Sequence, residues 1–128
     1  MNCLDANAVI DYLHGNDAIA NYLDEYGHLP QFTLTIVLHE VFAGAARLRG
    51  REGVEATRQD LDWLKPLELS VEGAAEAALV RAELHADGTP IGPMDTLIAG
   101  IVRECGGTLI TADDHFDRVD GLDVQYYR

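Results

Sequence analysis

Short apolar runs alternate with helical stripes along the whole chain. Asn2 to Leu4 reads as a brief buried strand, after which Ala8, Val9, Tyr12 and Leu13 recur at helical spacing until His14-Gly15 stops the segment. Asn16 or Asp17 caps a second helix that carries Ile19, Ala20, Tyr22 and Leu23 and ends near Gly27. Phe32 to Ile36, β-branched and aromatic, reads as a second strand. Val37, Val41, Ala45 and Leu48 mark one stripe of the next helix, with Glu40 in its first turns. Gly50 and Gly53 break that pattern, and a further helix from about Val54 carries Leu61 and Leu64 and stops before Pro66. Leu67 to Leu69 is expected as the third strand, and Val71 to about Ala86 as a helix rich in alanine and glutamate. The loop Asp87-Gly88-Thr89-Pro90 precedes Ile91 to Asp95, which leads into a helix from Thr96 to Glu104. Gly106-Gly107 ends that helix before a fourth strand, Thr108 to Thr111. Ala112 to Arg118 is a loop or a single turn, and Leu122 to Tyr126 supplies a fifth strand at an edge.

This alternation predicts one α/β domain over residues 1–128, with a central parallel sheet covered by helices on both faces and right-handed crossovers. The length suffices for a single core without staples. Asn2 and Asp5 interrupt the beginning before a signal-peptide core forms, and no apolar run approaches the roughly 20 residues of a membrane span, so a cytoplasmic location is expected. Cys3 and Cys105 show no metal or redox spacing and read as core residues.

Charge narrows the partners. Nine Lys+Arg against 22 Asp+Glu give a formal net charge of −13, a field that opposes non-specific binding of polyanions and resembles a salt-adapted surface. Lys65 is the single lysine, and Arg47, Arg49, Arg51 and Arg58 crowd four of the nine basic residues into one stretch, a local exception to the acidic field.

Four acids stand at comparable points of the pattern: Asp5 after the first strand, Glu40 in the helix after the second, Asp95 at a helix start and Asp113 past the fourth strand. In a parallel sheet these points lie near the carboxyl edge, where open α/β sheets bind ligands. Carboxylates gathered there repel one another unless a cation holds them. Mg²⁺ takes oxygen ligands and keeps several waters, so a few carboxylates from separate segments suffice, and such a centre hydrolyses phosphodiesters. Asp5 and Asp95 are equally explained as acids at helix N-termini. Glu40, flanked by Leu38, Val41 and Phe42, needs a partner, whereas Asp113, Asp114, Asp117 and Asp120 also read as a solvated acidic loop. His39-Glu40 opens like a zinc-protease helix, but Ala43 stands where the second histidine belongs. No phosphate-binding glycine motif or nucleophile elbow occurs. A phosphoacceptor receiver domain needs an acidic pair, an aspartate after the third strand and a late lysine; Asp5 stands alone, Ser70 follows that strand, and the one lysine is Lys65.

Taken in order, LDANAVIDYL, LHEVFAGA, IGPMDTLIAG and LITADDHFDRVDGL resemble the four blocks of the PIN-domain ribonucleases, and more narrowly the VapC-type toxins, over essentially the whole chain. The resemblance implies a PIN-like three-layer sandwich with a mainly parallel sheet of four or five strands. It also implies an endoribonuclease dependent on Mg²⁺ or Mn²⁺, restrained by a VapB-type antitoxin and forming a homodimer. Asp5, Glu40, Asp95 and Asp113 match the family's metal-binding catalytic acids. Thr111 matches a hydroxyl residue that orients a carboxylate or a metal-bound water, and Asp117, one turn beyond Asp113, is a candidate outer acid. One departure is Ala6, where the family usually carries Thr or Ser; unless Asn7 replaces that hydroxyl, the site loses a supporting hydrogen bond, and the alternative is a PIN-fold binding module with weak or no catalysis. Arg47, Arg49 and Arg51 are candidates for contact with RNA or with the antitoxin.

Overall fold

The computed structural model describes residues 1–128. Five parallel strands form one sheet: β1 (Asn2–Leu4), β2 (Gln31–Leu34), β3 (Lys65–Leu67), β4 (Thr108–Thr111) and β5 (Asp123–Tyr126). The spatial order is β3-β2-β1-β4-β5. The chain therefore builds outward from β1 to β3 on one side and then crosses to β4 and β5 on the other, so the order reverses at β1. Between the strands run α1 (Ala6–Leu13), α2 (Asp17–Tyr26), α3 (Thr35–Asp60), α4 (Val71–Ala86) and α5 (Pro93–Cys105). A 3-10 helix, Asp114–Arg118, precedes β5. One continuous core of 21 buried residues joins sheet and helices. No helix is long and apolar enough to cross a membrane.

The ends of the elements follow from their partners. β2 stops at Leu34 rather than Ile36, because β1 is short and its last residue, Leu4, pairs with Thr33. The β-branched Thr35 and Ile36 then open α3, which turns Val37 and Val41 into the core. β3 lies two residues earlier than the apolar run suggested and includes Pro66, paired in register with Thr33. Proline is tolerated there because β3 is an edge strand with one neighbour. Gly50 interrupts α3 with φ 60° and ψ −146°, while Gly53, expected as a second break, is buried inside the following helical turn. A Cβ on Gly53 would lie 2.6 Å from the Ala45 carbonyl oxygen, so the kink at Gly50 folds the second half of α3 closely onto the first. Cys3 is fully buried, and burial pushes its thiol up to about 12.

α4 and α5 pack where side chains are smallest. A Cβ built on Gly100 would come within 2.4 to 2.5 Å of the Ala77 backbone and side chain. Arg103 of α5 ties the pair together, donating to Glu76 and Glu83 of α4 at 2.8 Å each and to the Asp120 carbonyl at 2.9 Å. Gly100→Ala gains helix propensity but collides with backbone, so it is expected to destabilise the fold by about 1–3 kcal/mol in urea unfolding. Gly44→Ala, with open space around its Cβ in α3, is expected to stabilise by about 0.5–1 kcal/mol. Equal shifts for the two variants would contradict this packing.

Candidate metal centre

The reversal of strand order creates the site. Leu4 is flanked by Thr33 of β2 and Ile110 of β4, so Asp5 leaves the sheet beside Thr111 at the switch point. The Asp5 N–H still donates to the Ile110 carbonyl at 2.9 Å while the residue caps α1. One carboxylate oxygen accepts the Ala6 N–H at 2.8 Å, and the other accepts the Thr111 hydroxyl at 2.7 Å. Asp5 is 4% exposed, so both bonds are shielded from water. The Thr111 hydroxyl in turn accepts the Asp113 N–H at 3.0 Å. One buried side chain thus fixes the first and last of the four acids.

The remaining acids arrive from helices. Pro93 opens α5 three residues earlier than Thr96, which places Asp95 inside the first turn and close to the positive end of the helix dipole. Glu40 stands in the second turn of α3, half-buried, next to an exposed His39. Asp113 caps the 3-10 helix: its Oδ1 accepts the His115 N–H at 2.9 Å and lies 3.1 Å from His115 Nδ1.

Electrostatics show which of these groups face one another. Burial is the largest influence on Asp5, Glu40 and Asp95 and pushes each carboxyl above its ordinary range. Asp95 and Asp113 push Asp5 further, Asp5 pushes Glu40, and Asp113 and Glu40 push Asp95. The Thr111 and Ala6 hydrogen bonds, His39 and His115 offset only part of this for Asp5, Glu40 and Asp95 respectively. None of Asp5, Glu40 and Asp95 takes part in any of the five ion pairs of the molecule. Like charges gathered in a poorly solvated place without a basic partner suit a bound cation. Asp95, Asp113 and His115 also offer ligand atoms that all lie within 4.8 Å of one another. The donor set therefore fits a divalent ion.

Other expected residues fall as follows. Asn7 reaches the same corner, its side-chain oxygen accepting the Ala112 N–H at 3.3 Å and holding the loop after β4. Ala6 contributes only its backbone N–H, and the hydroxyl that Asp5 receives comes from Thr111. The structure joins Asp117 to Tyr126, whose hydroxyl donates to it at 2.6 Å, rather than to the four acids. Arg47, Arg49 and Arg51 are exposed around the Gly50 kink and form no ion pair. The sequence reading passed over His115; an aspartate that caps a turn with histidine two positions on is the signal that would have found it. A groove of about 600 Å³ lies between α4 and the start of α5, lined by Ala77, Leu84, Ile91 and Leu97, and none of the four acids borders it.

A family model described as PIN domain matches residues 3–122. The chain belongs to the PIN domain family. Over 93 residues it is 29% identical to the tRNA(fMet)-specific endonuclease VapC of Salmonella typhimurium, spanning 71% of this chain and 70% of that protein. VapBC2 from Rickettsia felis, solved with a promoter DNA fragment, superposes with a TM-score of 0.89 at 23% identity over 99% of this chain and 98% of that one. DNA-bound VapBC from Salmonella typhimurium superposes with a TM-score of 0.88 at 24% identity, again over 99% and 98%. The five-stranded parallel sheet is thus a PIN fold from end to end.

Two outcomes are expected of this PIN domain. Thr111→Val leaves buried Asp5 without its hydroxyl donor and should cost about 1–3 kcal/mol in chemical unfolding. Raised carboxyl pKa values mean that the folded, EDTA-treated protein holds protons more tightly than the unfolded chain. The contribution of these acids is then greatest below the ordinary carboxyl pKa of about 4 and is lost as pH rises toward the raised values. Asp95→Asn should flatten that fall and raise the melting temperature at neutral pH; an unchanged pH profile would refute the mutual repulsion.

Proposed function

We propose that this PIN domain is a divalent-metal-dependent endoribonuclease that hydrolyses RNA phosphodiester bonds and serves as the toxin of a VapBC-type pair. The observation that carries the reading is the convergence of Asp5, Glu40, Asp95 and Asp113, from four separate segments, on the reversal point of the sheet. The Salmonella relative is named an endonuclease for tRNA(fMet), which supports RNA as the substrate class. The structural neighbours named above are VapBC assemblies, which supports a protein antitoxin as partner.

The four acids would hold Mg²⁺ or Mn²⁺, and such an ion, when bound, supplies an activated water and neutralises charge developing on the phosphodiester. The protein's own contribution is positional. Thr111 locks the Asp5 carboxylate against rotation and holds the backbone of Asp113, while Asn7 anchors the intervening Ala112. Protons retained by the crowded acids must leave before a cation binds, so metal affinity rises with pH. Arg47 lies two turns beyond Glu40 on α3, about 10 Å along the helix, with Arg49 and Arg51 beside the kink. These exposed guanidinium groups give phosphates a cationic track on an otherwise acidic protein.

Cleavage of a structured RNA panel with Mg²⁺ or Mn²⁺ tests the assignment. Asp5→Asn and Asp95→Asn are each expected to lose about a hundredfold or more of the rate while remaining folded. Equal activity in the native chain and both variants would refute catalysis and leave a binding module. Changing Arg47, Arg49 and Arg51 together to Ala should weaken RNA binding and reduce its salt dependence by up to about three ionic contacts. Intact RNA binding with lost antitoxin binding would reassign that surface to the antitoxin.

A further inference from the structure

We infer that His115 is a nitrogen ligand of the ion held by Asp95 and Asp113, and that it biases this centre toward Mn²⁺ over Mg²⁺. The inference rests on the metal-dependent reading above and adds a residue and a selectivity to it. Its basis is a local chelate. Asp113 accepts the backbone N–H of His115, and the turn that this bond closes brings the imidazole back over the same carboxylate oxygen, Oδ1, at 3.1 Å from Nδ1. Asp95 meets them from α5, with ligand atoms of all three residues inside 4.8 Å.

The shorter of those separations matches what an ion requires. In an octahedral site with ligands at about 2.1 Å, adjacent ligand atoms stand about 3.0 Å apart and opposite ones about 4.2 Å. The 3.1 Å contact between His115 and Asp113 is the spacing of neighbouring ligands, and Asp95 offers a ligand atom within 4.8 Å of both. The ring is 51% exposed and no packing holds it away from that position.

The kind of ligand then decides selectivity. Mg²⁺ prefers an all-oxygen shell and takes imidazole poorly, whereas Mn²⁺, though the weakest binder of the first-row divalent series, accepts an imidazole nitrogen among oxygen ligands. Asp5, Glu40, Asp95 and Asp113 present oxygens only, so His115 is the group that would separate Mn²⁺ from Mg²⁺ here.

Direct metal binding to the purified chain tests this, read by the electron paramagnetic resonance of Mn²⁺ and by competition with Mg²⁺. The native protein should show nitrogen coupling to bound Mn²⁺ that persists in His39→Ala and vanishes in His115→Ala. His115→Ala should weaken Mn²⁺ by about tenfold or more and Mg²⁺ by less than about threefold. His115→Asp, which substitutes an oxygen ligand, should restore binding without nitrogen coupling and with a preference moved toward Mg²⁺. If native protein binds Mn²⁺ and Asp95→Asn does not, yet nitrogen coupling is absent or His115→Ala binds as tightly, the ligand assignment is overturned and the acidic centre stands. If native protein binds Mn²⁺ no better than Asp95→Asn, the centre and the role of His115 fall together.

Discussion

The hydrogen bond from the Thr111 hydroxyl to the Asp5 carboxylate is the contact on which the acidic edge depends. It is a consequence of topology, because only a sheet that reverses direction at β1 places β4 alongside it and sets Leu4 opposite Ile110. The next residue on each strand then has to meet the other. A hydroxyl at that point is chemically suited to both neighbours, donating to a carboxylate and accepting from a backbone N–H. No buried side-chain polar atom in the protein lacks a partner, so the charge at the switch point is embedded in a fully satisfied network.

Repulsion among the acids is the opposing force, and the fold contains it with backbone dipoles. Asp5 caps α1, Asp95 sits in the first turn of α5, and Asp113 caps the 3-10 helix. Asp5 and Asp113 accept peptide N–H groups at 2.8 and 2.9 Å, and Asp95 lies near the positive end of the α5 dipole, a position worth a few tenths of a kcal/mol to about one. Glu40 has no such terminus, and the opposing charge beside it is His39. These devices hold the carboxylates in place without neutralising them, which leaves a negative field for a cation to occupy.

Much of this arrangement was legible in the sequence. The first strand, the helix pairs, the edge position of the last strand and the positions of Asp5 and Asp113 just past strand ends followed from apolar runs, caps and glycine stops. Three element boundaries were not, each for a reason beyond local pattern. The end of β2 depends on the length of β1, which no window around Phe32 to Ile36 contains. β3 includes Pro66 because an edge strand spares one row of hydrogen bonds, and edge status is a property of the whole sheet. Asp95 enters the first helical turn because Pro93 starts α5, whereas composition placed the start at Thr96. Asp117, a candidate outer acid one helical turn beyond Asp113, lies in a 3-10 turn and accepts the Tyr126 hydroxyl.

The acids are built on a frame held together by contacts within the chain. The core of 21 residues lies between sheet and helices, and the contacts that fix Asp5, Asn7, Thr111 and Asp113 are hydrogen bonds within the chain. That separates this centre from small metal-folded modules, in which the binding free energy of the ion is the folding free energy. A cation bound here would add stability by mass action, about 2.7 kcal/mol at a hundred times its dissociation constant. The contacts that place the acids are therefore made within the chain, and the repulsion among like charges would be relieved by a divalent ion. Holding three raised carboxyls together costs stability as pH rises through their raised values, and a bound cation would offset that cost.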